Sequence, residues 1–242
     1  KDLPLNLKPK NIEESYQIQN ELKILYLTLK NNFTIGKKVG CTNQYAQEQV
    51  NVFEPFYGNL FSKFSDISGC KLKSSKFFKP FIEPEISFRL KNDININEAP
   101  FKIENSKNLF DLMFPSIELV DFRFGESIKE VGIKNLIMSN GASEYYIKSI
   151  NSFKIDQIDL TNQGISLSIN EKIIEKGNTN LVLNNPLNSA IWVINKLADI
   201  GEPMLKGQFI TTGTCTKAVR AEKNSYIKAD FGELGTIEFE YL

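Results

Sequence analysis

Along most of this chain, hydrophobic and polar positions alternate in pairs, and helical spacing is confined to a few stretches. From Glu85 to Leu90, Ile86, Phe88 and Leu90 fall on one face and Glu85, Ser87 and Arg89 on the other, the pattern of a half-buried strand. Thr34–Gly40 reads the same way, with Ile35, Lys37 and Val39 opposed to Gly36, Lys38 and Gly40. Residues 116–124 set Glu118, Val120 and Phe122 against Ile117, Leu119 and Asp121. Further strands are expected over residues 143–150, 208–214, 225–231 and 236–241, with a hairpin of 165–170 and 172–176 turning at Asn170-Glu171.

Helical spacing occurs in fewer places. Asn11 with Glu14 three residues later is a capping pair that opens a helix of about five turns, with Ile18, Leu22, Leu25 and Leu29 on its apolar face. Asn185 and Pro186 are cap and first-turn residues for a helix with Leu187, Ile191, Ile194 and Leu197 on one side, ending before Gly201. Shorter helices are expected over 43–50, 105–113 (ending near Pro115) and 132–141, the last closing in a glycine turn. Residues 51–64 read as a loop carrying Pro55 and Gly58, and 69–80 as irregular and lysine-rich. Many strands and few helices in mixed order argue for an α+β fold around a largely non-parallel sheet.

Composition narrows the function classes. Hydrophobic residues make up 41% and charged residues 24% of the chain, the balance of an ordinary globular protein. Its 29 basic and 29 acidic side chains cancel, which removes the electrostatic footprint of a nucleic-acid or anionic-membrane partner. No apolar run reaches the ~20 residues of a membrane span, and no signal pattern opens the chain, so the expectation is a cytoplasmic protein. Cys41, Cys70 and Cys215 are an odd number without zinc spacing, as free thiols would be. There is no histidine, which excludes Ser-His-Asp and Cys-His catalysis and histidine-based metal sites. Acid–base chemistry must fall to carboxylates, lysine, tyrosine, cysteine or metal-activated water.

The candidate chemistry lies on the strands. Glu83 and Glu85 point the same way, separated by Pro84, which belongs at a strand start or an edge because it has no N–H for a ladder. Like charges two residues apart on one face repel unless a cation compensates. A solvated strand face would show the same Glu-x-Glu, as Glu238 and Glu240 illustrate. Glu118 among Ile117, Leu119 and Val120 calls for a partner, and a cation shared with Glu83 and Glu85 would serve. Lys38, flanked on its face by Gly36 and Gly40, sits where a ligand or neighbouring backbone can approach; it also fits a surface lysine on an edge strand. Cys41 beside it fits a reactive or simply a buried thiol.

Taken in order, Gly36-Lys37-Lys38-Val39-Gly40-Cys41-Thr42, Pro55-Phe56-Tyr57-Gly58-Asn59-Leu60, Glu83-Pro84-Glu85-Ile86, Glu118-Leu119-Val120-Asp121-Phe122-Arg123, the run from Asn184 to Trp192, and residues 207–213 resemble one family. It is the 2-keto-4-pentenoate hydratase and 4-oxalocrotonate decarboxylase branch of the fumarylacetoacetate hydrolase superfamily. The resemblance implies a mixed, largely antiparallel β-roll with flanking helices as a single unit over 1–242, residues 1–65 forming a helical N-terminal part packed on the roll. It also implies Mg²⁺ or Mn²⁺ held by Glu83, Glu85 and Glu118, Lys38 as the active-site lysine, and Asn140 as a substrate contact; Thr212 and Thr214, by a turn rich in Thr and Gly, are candidate substrate contacts that fit structural strand-end residues equally well. The implied reaction is hydration of a 2-hydroxy-2,4-dienoate to a 4-hydroxy-2-oxo acid, with decarboxylation of a 2-oxo diacid as the alternative. Homo-oligomers, or a complex with a hydratase or decarboxylase homologue, are the partners it implies. Two positions depart from the pattern: Phe56 stands where the family carries aspartate, and Ser139-Asn140-Gly141-Ala142 where it shows Asp-Asn-Ala-Ser. These leave open a different carbon–carbon lyase or tautomerase with Phe56 shaping an apolar pocket, or a partner subunit that has lost catalysis.

Overall fold

The computed structural model describes residues 3–124 and 127–242. Its helices are α1 (Ile12–Leu27), α2 (Gln44–Val50), α3 (Ser106–Leu109), α4 (Ile128–Met138) and α5 (Pro186–Asp199). Its strands are β1 (Thr34–Gly40), β2 (Phe56–Phe61), β3 (Ser65–Ile67), β4 (Cys70–Leu72), β5 (Pro80–Leu90), β6 (Phe110–Asp121), β7 (Ser143–Lys148), β8 (Phe153–Lys154), β9 (Gly164–Ile169), β10 (Lys172–Asn178), β11 (Phe209–Thr211), β12 (Val219–Arg220), β13 (Ser225–Asp230) and β14 (Thr236–Tyr241). Among the described residues they form two sheets. The larger, of nine strands, runs β2-β1-β11-β5-β6-β7-β3, with β12 also on β5 and β8 on β6; the smaller runs β10-β9-β13-β14-β4. Pairing is antiparallel except at β1/β11, β3/β7 and β4/β14, as the expected mixed roll requires. No described helix is long and apolar enough to cross a membrane.

The even positions of β5, including Ile82, Ile86, Phe88 and Leu90, are buried with Ile117 and Leu119 of β6 in a core shared with α5 and the smaller sheet. The odd positions face the other way, toward a second cluster built from Phe56, Val120, Leu136 and Ile137, with Ala46 of α2 and Ile128 of α4 packed against it. The polar face of the large sheet is therefore roofed by helices and not by bulk water.

Several elements differ from the sequence expectation. The helix expected over 105–113 is a single turn, α3, after which β6 begins at Phe110 and runs through Pro115. Pairing with β5 along its whole length, together with a bidentate Arg89–Asp111 bridge, overrides local propensity there. The loop expected over 51–64 contains β2, buried at every position, so alternation gave no signal. With β1 and β2 in the large sheet, residues 1–65 contribute strands as well as helices. Pro84 lies inside β5, not at its start or on an edge strand. Its missing N–H costs no ladder bond, because β11 pairs residues 87–89 and β12 residues 81–82, and in the gap between them the Pro84 carbonyl accepts from Cys215 N–H at 2.8 Å.

Helix α1 packs with only part of its expected apolar face, Ile18 and Leu22 being half-buried. Leu25 is 63% exposed, whereas Ser15 and Gln19 are buried. Gln19 Nε2 donates to the carbonyls of Tyr57 (3.0 Å) and Ile137 (2.7 Å), so one polar side chain ties α1 to both β2 and α4. Gln19→Ala would remove both of these buried bonds and is expected to cost about 1–3 kcal/mol in urea unfolding, against less than about 0.5 kcal/mol for Leu25→Ala. The reverse order of the two variants would contradict this role.

Candidate metal centre

Register on the large sheet assembles the site. Glu83 of β5 lies directly opposite Glu118 of β6, and Glu85 opposite Ser116. Lys38 of β1 pairs with Thr211 of β11, which pairs with Ser87 of β5. Cross-strand partners share a face, so Lys38, Thr211, Ser87, Glu85, Glu83, Ser116 and Glu118 all project to the same side. One oxygen from each of Glu83, Glu85 and Glu118 lies within 4.8 Å of the others.

Three carboxylates face one ammonium. Lys38, itself buried, donates to the Gly141 carbonyl at 3.1 Å and lies 3.2 Å from Glu118 Oε2. Burial pulls its pKa down, but Glu118, Glu83 and Glu85 together push it up, and the net direction is upward. Without a metal, the three glutamates thus favour the charged form of Lys38. Burial, opposed by Lys38, pushes the carboxylates the other way: Glu83 rises from 4.5 to about 7, and Glu85 and Glu118 rise as well.

Hydrogen bonding orients this charge without neutralising it. Glu85 Oε2 accepts from the Thr211 hydroxyl and from Gly213 N–H at 3.0 Å. Gly213 is at φ +101°, and a Cβ there would lie 2.0 Å from Thr42 Oγ1, so the backbone can present this N–H only as glycine. Glu85 Oε1 and both oxygens of Glu118 are buried without a hydrogen bond of good geometry; the contact of Glu118 Oε2 with Lys38 is an ion pair by distance only. Buried carboxylate oxygens with no donor cost several kcal/mol unless a cation takes them up. Hard oxygen donors in a converging, net-negative set fit a divalent cation of the Mg²⁺ class. The residues present thus fit the metal that the resemblance implies.

The cluster opens into a cavity of about 60 Å³, several times the roughly 10–15 Å³ that one water needs. Lys38, Glu83, Gly213 and Thr214 line one part of it. Of the expected substrate contacts, Thr214 is there, with its hydroxyl donating to the Thr216 carbonyl. Thr212 is buried off the cavity, donating to the Ile86 carbonyl. Asn140 is also off it: its side chain accepts from Asn59 N–H at 2.7 Å and donates to the Asn59 carbonyl at 2.9 Å, clamping the 140–142 turn onto β2. Its place is structural support for Gly141, not contact with the cavity. Cys41 is buried, and burial pushes its thiol up to about 12, which favours the buried-thiol reading over a reactive thiolate.

Sequence reasoning did not single out Thr211, Gly213 or Tyr146. Alternation along 208–214 puts Thr211 opposite the core residue Ile210, a signal that was available. The approach of Gly213 to Glu85 depends on a positive φ that no residue pattern announces. The Tyr146 hydroxyl, buried on the strand position opposite Glu118, has no hydrogen-bond partner, and burial holds its pKa above the usual phenol value.

Known proteins place this arrangement. No family model matches the chain. It is 30% identical over 240 residues to 2-oxo-hept-4-ene-1,7-dioate hydratase of Escherichia coli, covering 96% of this chain and 87% of the relative. It is 24% identical over 221 residues to 2-keto-4-pentenoate hydratase of Burkholderia vietnamiensis, covering 91% and 81%. Among solved structures, 4-oxalocrotonate decarboxylase of Pseudomonas putida G7, complexed with magnesium and adipate, matches with a TM-score of 0.89 and 27% identity over 96% of this chain and 86% of that one. Fumarylpyruvate hydrolase of Pseudomonas aeruginosa, with Mn²⁺ and pyruvate, matches at a TM-score of 0.66 and 11% identity over 85% and 88%, a likeness of fold alone.

Two outcomes test the geometry. The raised Glu83 pKa contributes stability to the metal-free chain that is fully present below about 4.5 and lost as pH rises through about 7. The metal-free Tm is therefore expected to fall from about pH 6 to about pH 8, less steeply in Glu83→Gln, and Mn²⁺ to raise Tm more at the higher pH. A Tm that does not fall, or falls equally in Glu83→Gln, would contradict it. Thr211→Val, which frees the Glu85 carboxylate, is expected to weaken Mn²⁺ binding about 10–100-fold by calorimetry; unchanged affinity would remove Thr211 from the site. The chain belongs to the 2-keto-4-pentenoate hydratase and 4-oxalocrotonate decarboxylase branch of the fumarylacetoacetate hydrolase superfamily.

Proposed function

We propose that the chain is a divalent-metal-dependent lyase for a small 2-oxo acid, converting a 2-hydroxy-2,4-dienoate to a 4-hydroxy-2-oxo acid. The observation that carries this reading is the meeting of half-buried Glu83 with buried Glu85 and Glu118, three of whose oxygens lack a hydrogen bond, beside Lys38, with Lys38 and Glu83 lining a cavity. Glu83, Glu85 and Glu118 would hold Mg²⁺ or Mn²⁺, with Thr211 and Gly213 fixing the direction of Glu85. When bound, the ion supplies Lewis-acid stabilisation of negative charge developing on the 2-oxygen of the substrate.

The remaining work belongs to the chain. Lys38, held by Gly141 and with its charged form favoured by the carboxylates, offers a fixed cation to the carboxylate or 2-oxygen of the substrate and needs no reorganisation as charge develops. The ring of Phe56 lies over it, with Nζ 5.3 Å from the centroid, which keeps bulk water from that side of the ammonium. In balance, the 2-hydroxyl loses its proton as a proton is delivered to C5, giving the isomeric 2-oxo-3-enoate, and water then adds its hydroxyl to C4 and its proton to C3.

Decarboxylation of a 2-oxo diacid would use the same charge stabilisation, and the close structural likeness to a 4-oxalocrotonate decarboxylase favours it as the second reading. The test is turnover of 2-hydroxy-2,4-pentadienoate by the purified chain with Mg²⁺ or Mn²⁺, followed by loss of dienoate absorbance and detection of the 4-hydroxy-2-oxo acid. Lys38→Met is expected to lower kcat about 10²–10³-fold while still binding Mn²⁺. No turnover of dienoate or 2-oxo diacid by a chain with metal bound would make it a non-catalytic homologue, and a Lys38→Met kcat near that of the natural chain would remove Lys38 from the reaction.

A further inference from the structure

Away from the carboxylates, the cavity wall is mostly apolar, with Phe56, Val120, Phe122, Ile128 and Leu136, and its polar members Thr42 and Asn43 carry no charge. Phe56 is fixed there by two bare positions. A Cβ on Gly40 would lie 2.5 Å from its Cζ, and one on Gly141 would lie 2.7 Å from its Cε2, so the ring occupies the space that both glycines leave. Phe122 is held from behind by Phe81, the ring centroids 5.4 Å apart. Lys38 is the one basic side chain among the described lining residues, and in the proposed function it serves the 2-oxo carboxylate head. Arg220 stacks on the Phe81 ring at 4.9 Å and is not part of the lining.

We infer that this cavity selects 2-oxo monocarboxylates, whose far end is uncharged and apolar, against 2-oxo dicarboxylates. The inference rests on the proposed function, which seats the 2-oxo carboxylate head at Lys38 and the glutamates. A second carboxylate at the far end would lose its water against aromatic and aliphatic side chains with no cation to receive it, and Glu83 would add repulsion. An alkenyl or methyl end meets the same wall favourably. This sets the chain apart from relatives named for dioate substrates, and it disfavours decarboxylation, since the carboxylate lost in that reaction is the distal one of a diacid.

The test compares two unreactive acids of equal carbon number that differ at the far end, 2-oxopentanoate and 2-oxoglutarate, binding to the full chain with Mn²⁺ by calorimetry. 2-Oxopentanoate is expected to bind at least about tenfold more tightly. In a Phe122→Arg chain that still binds Mn²⁺, a guanidinium on the wall is expected to raise 2-oxoglutarate affinity and narrow or reverse the ratio. Equal or tighter binding of 2-oxoglutarate by the natural chain, or a ratio unmoved by Phe122→Arg, overturns the inference and leaves the lyase reading standing. Failure of both acids to bind a chain with Mn²⁺ bound overturns the lyase reading, and the inference with it.

Discussion

Uncompensated negative charge under the roof of the large sheet is the constraint on which the rest of the site depends. Three carboxylates within 4.8 Å of one another, set against one ammonium, form an arrangement that a fold would not retain for its own stability. Each neighbouring feature responds to it. Thr211 and Gly213 direct Glu85, the cluster favours the charged form of Lys38, and the oxygens left over converge where a hard cation would sit.

The sheet delivers this by register. Because Glu83 and Glu118 are paired and Lys38, Thr211 and Ser87 lie in one cross-strand row, the site groups are fixed by backbone hydrogen bonds and not by flexible loops. The opposite face of the same strands is the main core, so a one-residue slip would bury the glutamates among Ile86, Ile117 and Leu119 and expose those residues instead. Packing and function thus specify the same register. Phe56 belongs to both: its ring packs into the space at Gly40 and Gly141, and in doing so it shapes the cavity above Lys38.

Much of this was legible from residue order. Strict alternation placed β1, β5 and the second half of β6, and put Glu83, Glu85, Glu118 and Lys38 on faces that the structure brings together. Cap chemistry placed α5, where Asn185 accepts from Leu187 N–H, and the positive φ of Asn170 and Glu171 is the turn expected of the β9–β10 hairpin. What stayed hidden had non-local causes. β2 is buried on both faces and shows no alternation, the first half of β6 is a strand because β5 lies beside it, and α1 buries Gln19 while leaving Leu25 exposed. Asn140 was expected at the substrate from the resemblance; its hydrogen bonds to Asn59 are a tertiary contact that no local pattern encodes.

The measurement that bears most directly on the centre is Mn²⁺ titration of the natural chain and of Glu118→Gln, with free Mn²⁺ read by electron paramagnetic resonance. One Mn²⁺ per natural chain, with affinity at least about tenfold weaker in the variant, is the expected result. No binding at millimolar Mn²⁺, or binding that Glu118→Gln leaves unchanged, would contradict it and leave the clustered charge of Glu83, Glu85 and Glu118 without a purpose.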